Sequence, residues 1–114
     1  MTSPRRGELY WTNLDPAIGS EIAKTRPALI ISNDIGNQYA DRVIVAPISS
    51  SGLGKIYPFE VHLNALEGGL SKESKVLLDQ IRTLDKSRLG QHIGALSSDR
   101  MEEVNRAIRI SLAV

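Results

Sequence analysis

The sequence predicts a mainly β fold: a small, strongly bent antiparallel barrel finished by one C-terminal α-helix. Three observations carry this. About six short apolar or alternating segments are separated by Gly-, Pro-, Asn- or Asp-containing turns at hairpin-like spacing. Two of them, Ala28 to Ile31 and Val43 to Ile48, are unbroken apolar runs, the pattern of strands covered on both faces. The end of the chain, from Met101, carries apolar residues at helical spacing.

Each element follows from local chemistry. Glu8 to Leu14 alternates loosely and is opened by Gly7, so it reads as the first strand, stopped by Asp15-Pro16. The stretch to Thr25 holds Gly19 and Ser20 and few apolar groups, which predicts a mobile loop. Pro27 starts the second strand, at a position where its missing donor matters least. Asn33, Asp34, Gly36 and Asn37 predict a turn or one helical turn, and Val43 to Ile48 the third strand. Ser49 to Lys55 is a serine- and glycine-rich loop. Phe59, Val61 and Leu63 alternate with Glu60, His62 and Asn64, as in a half-exposed strand. Gly68-Gly69 marks a turn. Val76 to Leu84 reads as one further strand carrying Asp79, Gln80, Arg82 and Thr83, with Asp79 and Arg82 expected in a buried polar network. A short strand covers His92 to Leu96. Met101, Val104, Ala107, Ile108 and Leu112 form the packing stripe of the helix, with Ser98 or Asp99 as its cap and Glu102 three residues after Asp99.

Composition bounds the function. The chain has 114 residues, room for one domain over residues 1–114, with 14 basic against 13 acidic side chains and a formal charge of +1. That is too balanced for a non-specific polyanion binder, so any nucleic-acid site must concentrate its cations locally. There is no cysteine, and His62 and His92 are far apart, so no metal-ligand cluster is apparent and no cofactor is expected. The acidic residues lack the pairing of a two-metal nuclease. Met1 to Gly7 lacks the apolar run of a signal peptide and no segment suits a bilayer, which reads as a cytoplasmic chain. The two apolar runs exceed what a small barrel with one helix covers, which predicts a homodimer. With one Trp, three Tyr and one Phe, extensive base stacking is not expected.

Arg6-Gly7-Glu8-Leu9-Tyr10-Trp11, Leu14-Asp15-Pro16 and Gly19-Ser20-Glu21 resemble the opening of the MazF/PemK toxin family. Arg26-Pro27-Ala28-Leu29-Ile30 resembles that family's second strand, and Ala46-Pro47-Ile48-Ser49-Ser50 its third strand and following loop. Leu78-Asp79-Gln80-Ile81-Arg82-Thr83-Leu84-Asp85 resembles its most diagnostic block. The resemblance implies an SH3-like small barrel of the MazF/PemK/CcdB toxin type, a homodimer, metal-independent cleavage of single-stranded RNA at short motifs, and a cognate antitoxin. It implies a catalytic pair matching Arg26 and Ser49, with serine standing where the family has threonine. A branch of the family places a catalytic arginine two residues before the aspartate of the Asp-Gln block. Leu77 stands there in this chain, and Ser20 replaces that branch's histidine.

RNA can be cut by its own 2′-hydroxyl, which needs a proton acceptor, charge stabilisation on the phosphorane and a proton for the departing 5′-oxygen. Arg26 suits the charge and Ser49 the positioning. Glu21, in the loop that leads to Arg26, is the favoured proton acceptor over His62. Ser20, Ser50 and Gln80 are the expected base-reading residues, the last because an amide both donates and accepts. Two other readings are a gyrase-directed toxin on the same fold and a barrel that binds RNA without cutting it. Gyrase-directed members rely on a Trp-Gly-Ile end, where this sequence reads Ser111-Leu112-Ala113-Val114.

Overall fold

The computed structural model describes residues 3–114, so Met1 and Thr2 of the opening stretch lie outside the described residues. Among these residues the elements run β1 (Glu8–Asn13), β2 (Thr25–Ile30), α1 (Asp34–Tyr39), β3 (Arg42–Ser49), β4 (Glu60–Leu63), β5 (Ser74–Leu77), β6 (Arg82–Asp85), β7 (Leu89–Ala95) and α2 (Ser98–Leu112). The strands form one bent antiparallel sheet in the order β4-β5-β3-β2-β1-β7, with β6 also paired to β3. The barrel does not close, because this path leaves β4 and β7 as separate edges. No helix is long and apolar enough to cross a membrane.

β2 and β3 are covered on both faces, as their apolar runs predict. Leu29, Ala46 and Ile48 join one core with Leu9, Leu63 and Leu78. Ala28, Ile30, Val43 and Val45 face the other way and join a second core with Leu14 and Leu84. Two small cores thus lie on opposite faces of the same strands. They also overturn the expected apolar surplus: Ala28, Leu29, Ile30, Val43, Val45, Ala46 and Ile48 are at most 1% exposed within a single chain. Within the two runs the exposed exception is Ile44, at 38%; Ile35 and Tyr39 of α1 are exposed nearby in the sequence.

The predicted strand from Val76 to Leu84 is two strands. Between the rungs Ile48↔Val76 and Val45↔Arg82, β3 advances three residues while its partner advances six. The three extra residues loop out around Asp79 and Gln80, where the Gln80 N–H returns to the Leu77 carbonyl at 3.2 Å. Nor do Asp79 and Arg82 form a buried network. Asp79 is exposed, and half-buried Arg82 instead donates to the Leu14 carbonyl at 2.6 Å. The turn at Gly68-Gly69 packs so tightly on β7 that a Cβ at Gly69 would stand 2.4 Å from the Ile93 carbonyl oxygen.

The helix cap is Ser97, one residue before the expected pair. Its backbone is extended and its hydroxyl accepts the Arg100 N–H at 3.2 Å, whereas Ser98 and Asp99 are already helical. Asp99 then sits in the first turn, where a carboxylate complements the helix dipole. Val104 and Ala107 are buried on the first core, with Met101 and Ile108 packed beside them. Leu112, expected in the same stripe, is 55% exposed because the helix has run past the edge of the core.

Candidate functional site

Strand register assembles a row of polar side chains across the sheet. Thr12 of β1 pairs with Arg26 of β2. Ala28 pairs with Pro47 of β3, and the same register continued two residues along each strand sets Arg26 opposite Ser49. Ser49 pairs with Lys75 of β5, and Lys75 with His62 of β4. Directly opposed residues in antiparallel strands share a face, with Cβ atoms about 5 Å apart. The β2–β3 rungs themselves run from Ala28↔Pro47 to Ile30↔Val45, and only their continuation aligns Arg26 with Ser49, 23 positions apart in the sequence.

Arg26 is half-buried, and its Nε donates to the Ala23 carbonyl at 2.8 Å. That bond orients the guanidinium and uses one of its five N–H groups. Ser49 is buried, and its Oγ accepts the Ser51 N–H at 3.2 Å and lies 3.0 Å from the Ser51 hydroxyl. A cleft of about 410 Å³ opens beside Arg26, lined by Trp11, Arg26, Pro27, Ile48, Ser50 and Lys72 among others, while Ser49 itself does not line it. Trp11 is 43% exposed there, an unusual position for the single tryptophan.

The remaining predicted residues gather elsewhere. Ser20, Glu21 and Gln80 line a second cleft of about 330 Å³ with Asp79, Ile81 and Arg82. The Glu21 carboxylate accepts the Ile18 N–H at 2.6 Å and does not line the cleft of Arg26. Gln80 Oε1 accepts the Ile22 N–H at 2.7 Å, leaving its amide hydrogens to donate. One short piece of chain joins the two places: Ile22 is held by Gln80 and the next residue, Ala23, by Arg26.

Sequence reasoning passed over Trp11, Lys72 and Lys75. Lys75 heads the apolar run Val76-Leu77-Leu78, close behind Lys72 and Glu73, and nothing local sets it apart from a solvated lysine. For Trp11 and Lys72 the cleft itself is the signal, and it exists only in three dimensions.

The perturbed titrations lie outside both clefts. Hydrogen bonds from Arg100 hold the Glu67 carboxyl down to about 2, and those same bonds raise the Arg100 guanidinium. Burial, then the charge and hydrogen bond of Glu8, push Tyr10 up to about 12. Among the described residues no three His, Asp or Glu side chains converge to hold a metal ion.

Residues 5–112 match the family described as PemK-like, MazF-like toxin of type II toxin-antitoxin system. The chain is 41% identical to Endoribonuclease EndoA of Bacillus subtilis over 110 residues, covering 96% of this chain and 95% of that protein. It is 46% identical to Endoribonuclease MazF of Staphylococcus saprophyticus over 110 residues, covering 96% and 92%. In three dimensions it superposes on MazF of Deinococcus radiodurans with a TM-score of 0.84, at 33% identity and full coverage of both chains. A MazE-MazF structure from the same organism superposes with a TM-score of 0.76, at 30% identity over 100% of this chain and 99% of that one.

Proposed function

This chain belongs to the PemK-like, MazF-like toxins of type II toxin-antitoxin systems and is an endoribonuclease of that kind; we propose that it cuts single-stranded RNA at short sequence motifs by 2′-hydroxyl attack, without a metal. The observation that supports the chemistry is the β2–β3 register, whose continuation past the Ala28↔Pro47 rung aligns Arg26 with Ser49, together with an open cleft lined by Arg26.

In this reaction the 2′-oxygen bonds to phosphorus and gives up its proton. The bond to the 5′-oxygen breaks, and that oxygen takes a proton. The products are a 2′,3′-cyclic phosphate and a 5′-hydroxyl end. Negative charge grows on the non-bridging oxygens as the phosphorane forms. Arg26 meets it with two parallel N–H donors, a geometry that suits phosphate. The Ser51 N–H occupies a lone pair of the Ser49 oxygen, so the Ser49 hydrogen is the part left to swing onto a phosphate oxygen. Serine keeps the hydroxyl of threonine and loses its methyl group, which loosens the rotamer without removing the donor. Glu21 serves as proton acceptor only when it releases the Ile18 N–H and turns toward Arg26. Ser20, Ser50 and Gln80 read the bases, Gln80 as a donor since its oxygen is taken.

The antitoxin reading rests on the MazE-MazF neighbour. An acidic, flexible antitoxin segment covers Arg26 and displaces the loop from Asp15 to Thr25, so it competes with RNA. The protein acts as a cytoplasmic homodimer, and Ile35, Tyr39 and Ile44 supply exposed apolar surface for the contact.

The test is cleavage of a long single-stranded RNA in excess chelator. Undiminished cutting with 5′-hydroxyl ends is the expected result. Activity lost to chelator and restored by magnesium would sink the mechanism.

A further inference from the structure

Ser49 is followed by a long connection, residues 50–59, that contains no helix or strand. One buried ammonium holds it. Lys75 Nζ donates to the Gly52 carbonyl at 2.9 Å, the Lys55 carbonyl at 3.4 Å and the Glu60 carboxylate at 3.0 Å. Its side chain is 9% exposed and that of Glu60 6%. All three ammonium hydrogens are engaged, so Lys75 cannot also act as a base toward Ser49. The same Glu60 oxygen accepts the Tyr57 N–H at 3.0 Å, which ties the far end of the connection to the same point. The near end reaches Ser49 directly, because Gly52 follows Ser51, whose N–H and hydroxyl hold the Ser49 oxygen. Gly52 has a φ of +67°, and a Cβ there would stand 3.4 Å from the Lys75 nitrogen, so the loop is folded closely around the cation.

We propose that Lys75 is a positioning residue for RNA cleavage: with Glu60 it clasps the 50–59 connection so that Ser51 holds the Ser49 hydroxyl toward the phosphate. This rests on the reading of Ser49 as part of the catalytic pair. The ion pair alone would be weak evidence for any role, since a buried pair often adds no net stability over neutral residues of similar size. Its three-point geometry is the informative part. An apolar pair would fill the space but leave the Gly52 and Lys55 carbonyls without a donor.

The experiment replaces both charges together, Lys75→Met with Glu60→Gln, so that no unpaired charge is left buried. Single-turnover cleavage and amide exchange are read in the unaltered background and in Ser49→Ala. The expected result is a roughly 10- to 100-fold fall in rate at an unchanged melting temperature, with faster exchange across residues 50–59. In the Ser49→Ala background the same pair of substitutions should cost almost nothing further, because residues acting through one group are not additive. Equal losses in both backgrounds would overturn the proposal and leave Lys75 a structural residue. So would an unchanged rate. If Ser49→Ala alone cuts at the full rate, the catalytic pair is wrong and the proposal falls with it. Exchange across 50–59 then shows whether the clasp existed without that purpose. An unfolded double variant would also count against it, with Lys75→Arg as the check: a positioning role predicts a folded protein of intermediate rate.

Discussion

Arg26 and Arg100 are both partly buried, yet their surroundings differ. Arg100, at the start of α2, is tied to two carboxylates: Nε and Nη2 bond Glu67 at 2.8 and 2.7 Å, and Nη1 bonds Glu103 at 2.9 Å. Arg26, at the start of β2, makes one bond to a backbone carbonyl. The first guanidinium has spent its fork on the fold. The second has spent only what orients it, which leaves its other N–H groups for the phosphate of the proposed reaction.

The sharpest break in this contrast is Arg26→Ala. It should lower single-turnover cleavage by roughly a hundred- to a thousand-fold or more, since one preorganised donor to a developing oxyanion is worth about that much. Melting should hardly move, and Arg26→Lys should recover little, because an ammonium keeps the charge without the fork. A folded Arg26→Ala protein that cuts at full speed would end the assignment. Ser49→Ala should fall by a comparable factor of about a hundred or more, while Ser49→Thr stays close to the parent. For Glu21→Gln, a loss on the order of a hundred-fold, with the acidic limb of the pH–rate profile removed, marks a general base. A rate within about twofold, given that glutamine can still cap Ile18, would remove Glu21 from the mechanism and leave it a loop cap.

Arg100→Ala is the mirror experiment. It should leave the cleavage rate within about twofold and cost stability on the order of 1–2 kcal/mol, the range for a hydrogen-bonded, partly exposed ion pair. The smallest effect is a pH dependence. The Glu67 carboxyl is held down to about 2 from its ordinary 4.5, so its contribution is fully present above the unfolded value and is lost as pH falls from about 4.5 toward 2. With the side chain 26% exposed, a loss of about 1 kcal/mol is the realistic size. Thermal melts of Glu67→Gln across that window should show a flatter decline than the parent. Parallel curves would mean that Arg100 stabilises through packing alone.

Much of this was legible in the sequence, for identifiable reasons. The runs at Ala28 to Ile31 and Val43 to Ile48 announced two-faced burial, which holds except at half-buried Ile31 and exposed Ile44, because a strand with core on both sides can carry no alternation. Arg26 and Ser49 were singled out through family resemblance, and the turn around Asn33 to Ala40 sets the β2–β3 register whose continuation aligns them. The split of Val76 to Leu84 was not legible. Leu78 and Ile81 keep the segment apolar, and only the demand of pairing with two different parts of β3 forces the chain outward between them. The separation of Glu21 from Arg26 was hidden too, because nearness in a loop says nothing about which way a side chain turns. Lys75 and Glu60 lie 15 positions apart, and no local pattern distinguishes a clasping lysine from a solvated one.

The position of β3 has a consequence in time. One of its edges is matched by β2, made earlier in the chain, but the other waits for β5 and β6. During synthesis, a chain that has emerged only through β4 carries an apolar strand with one side unpaired, open to pairing with another copy. The hazard persists until residue 85 is available, at rates of synthesis of about 5–20 residues per second. Such a chain lacks Lys75 as well. Nascent material is therefore at its most adhesive while the Ser49 loop still has nothing to hold it.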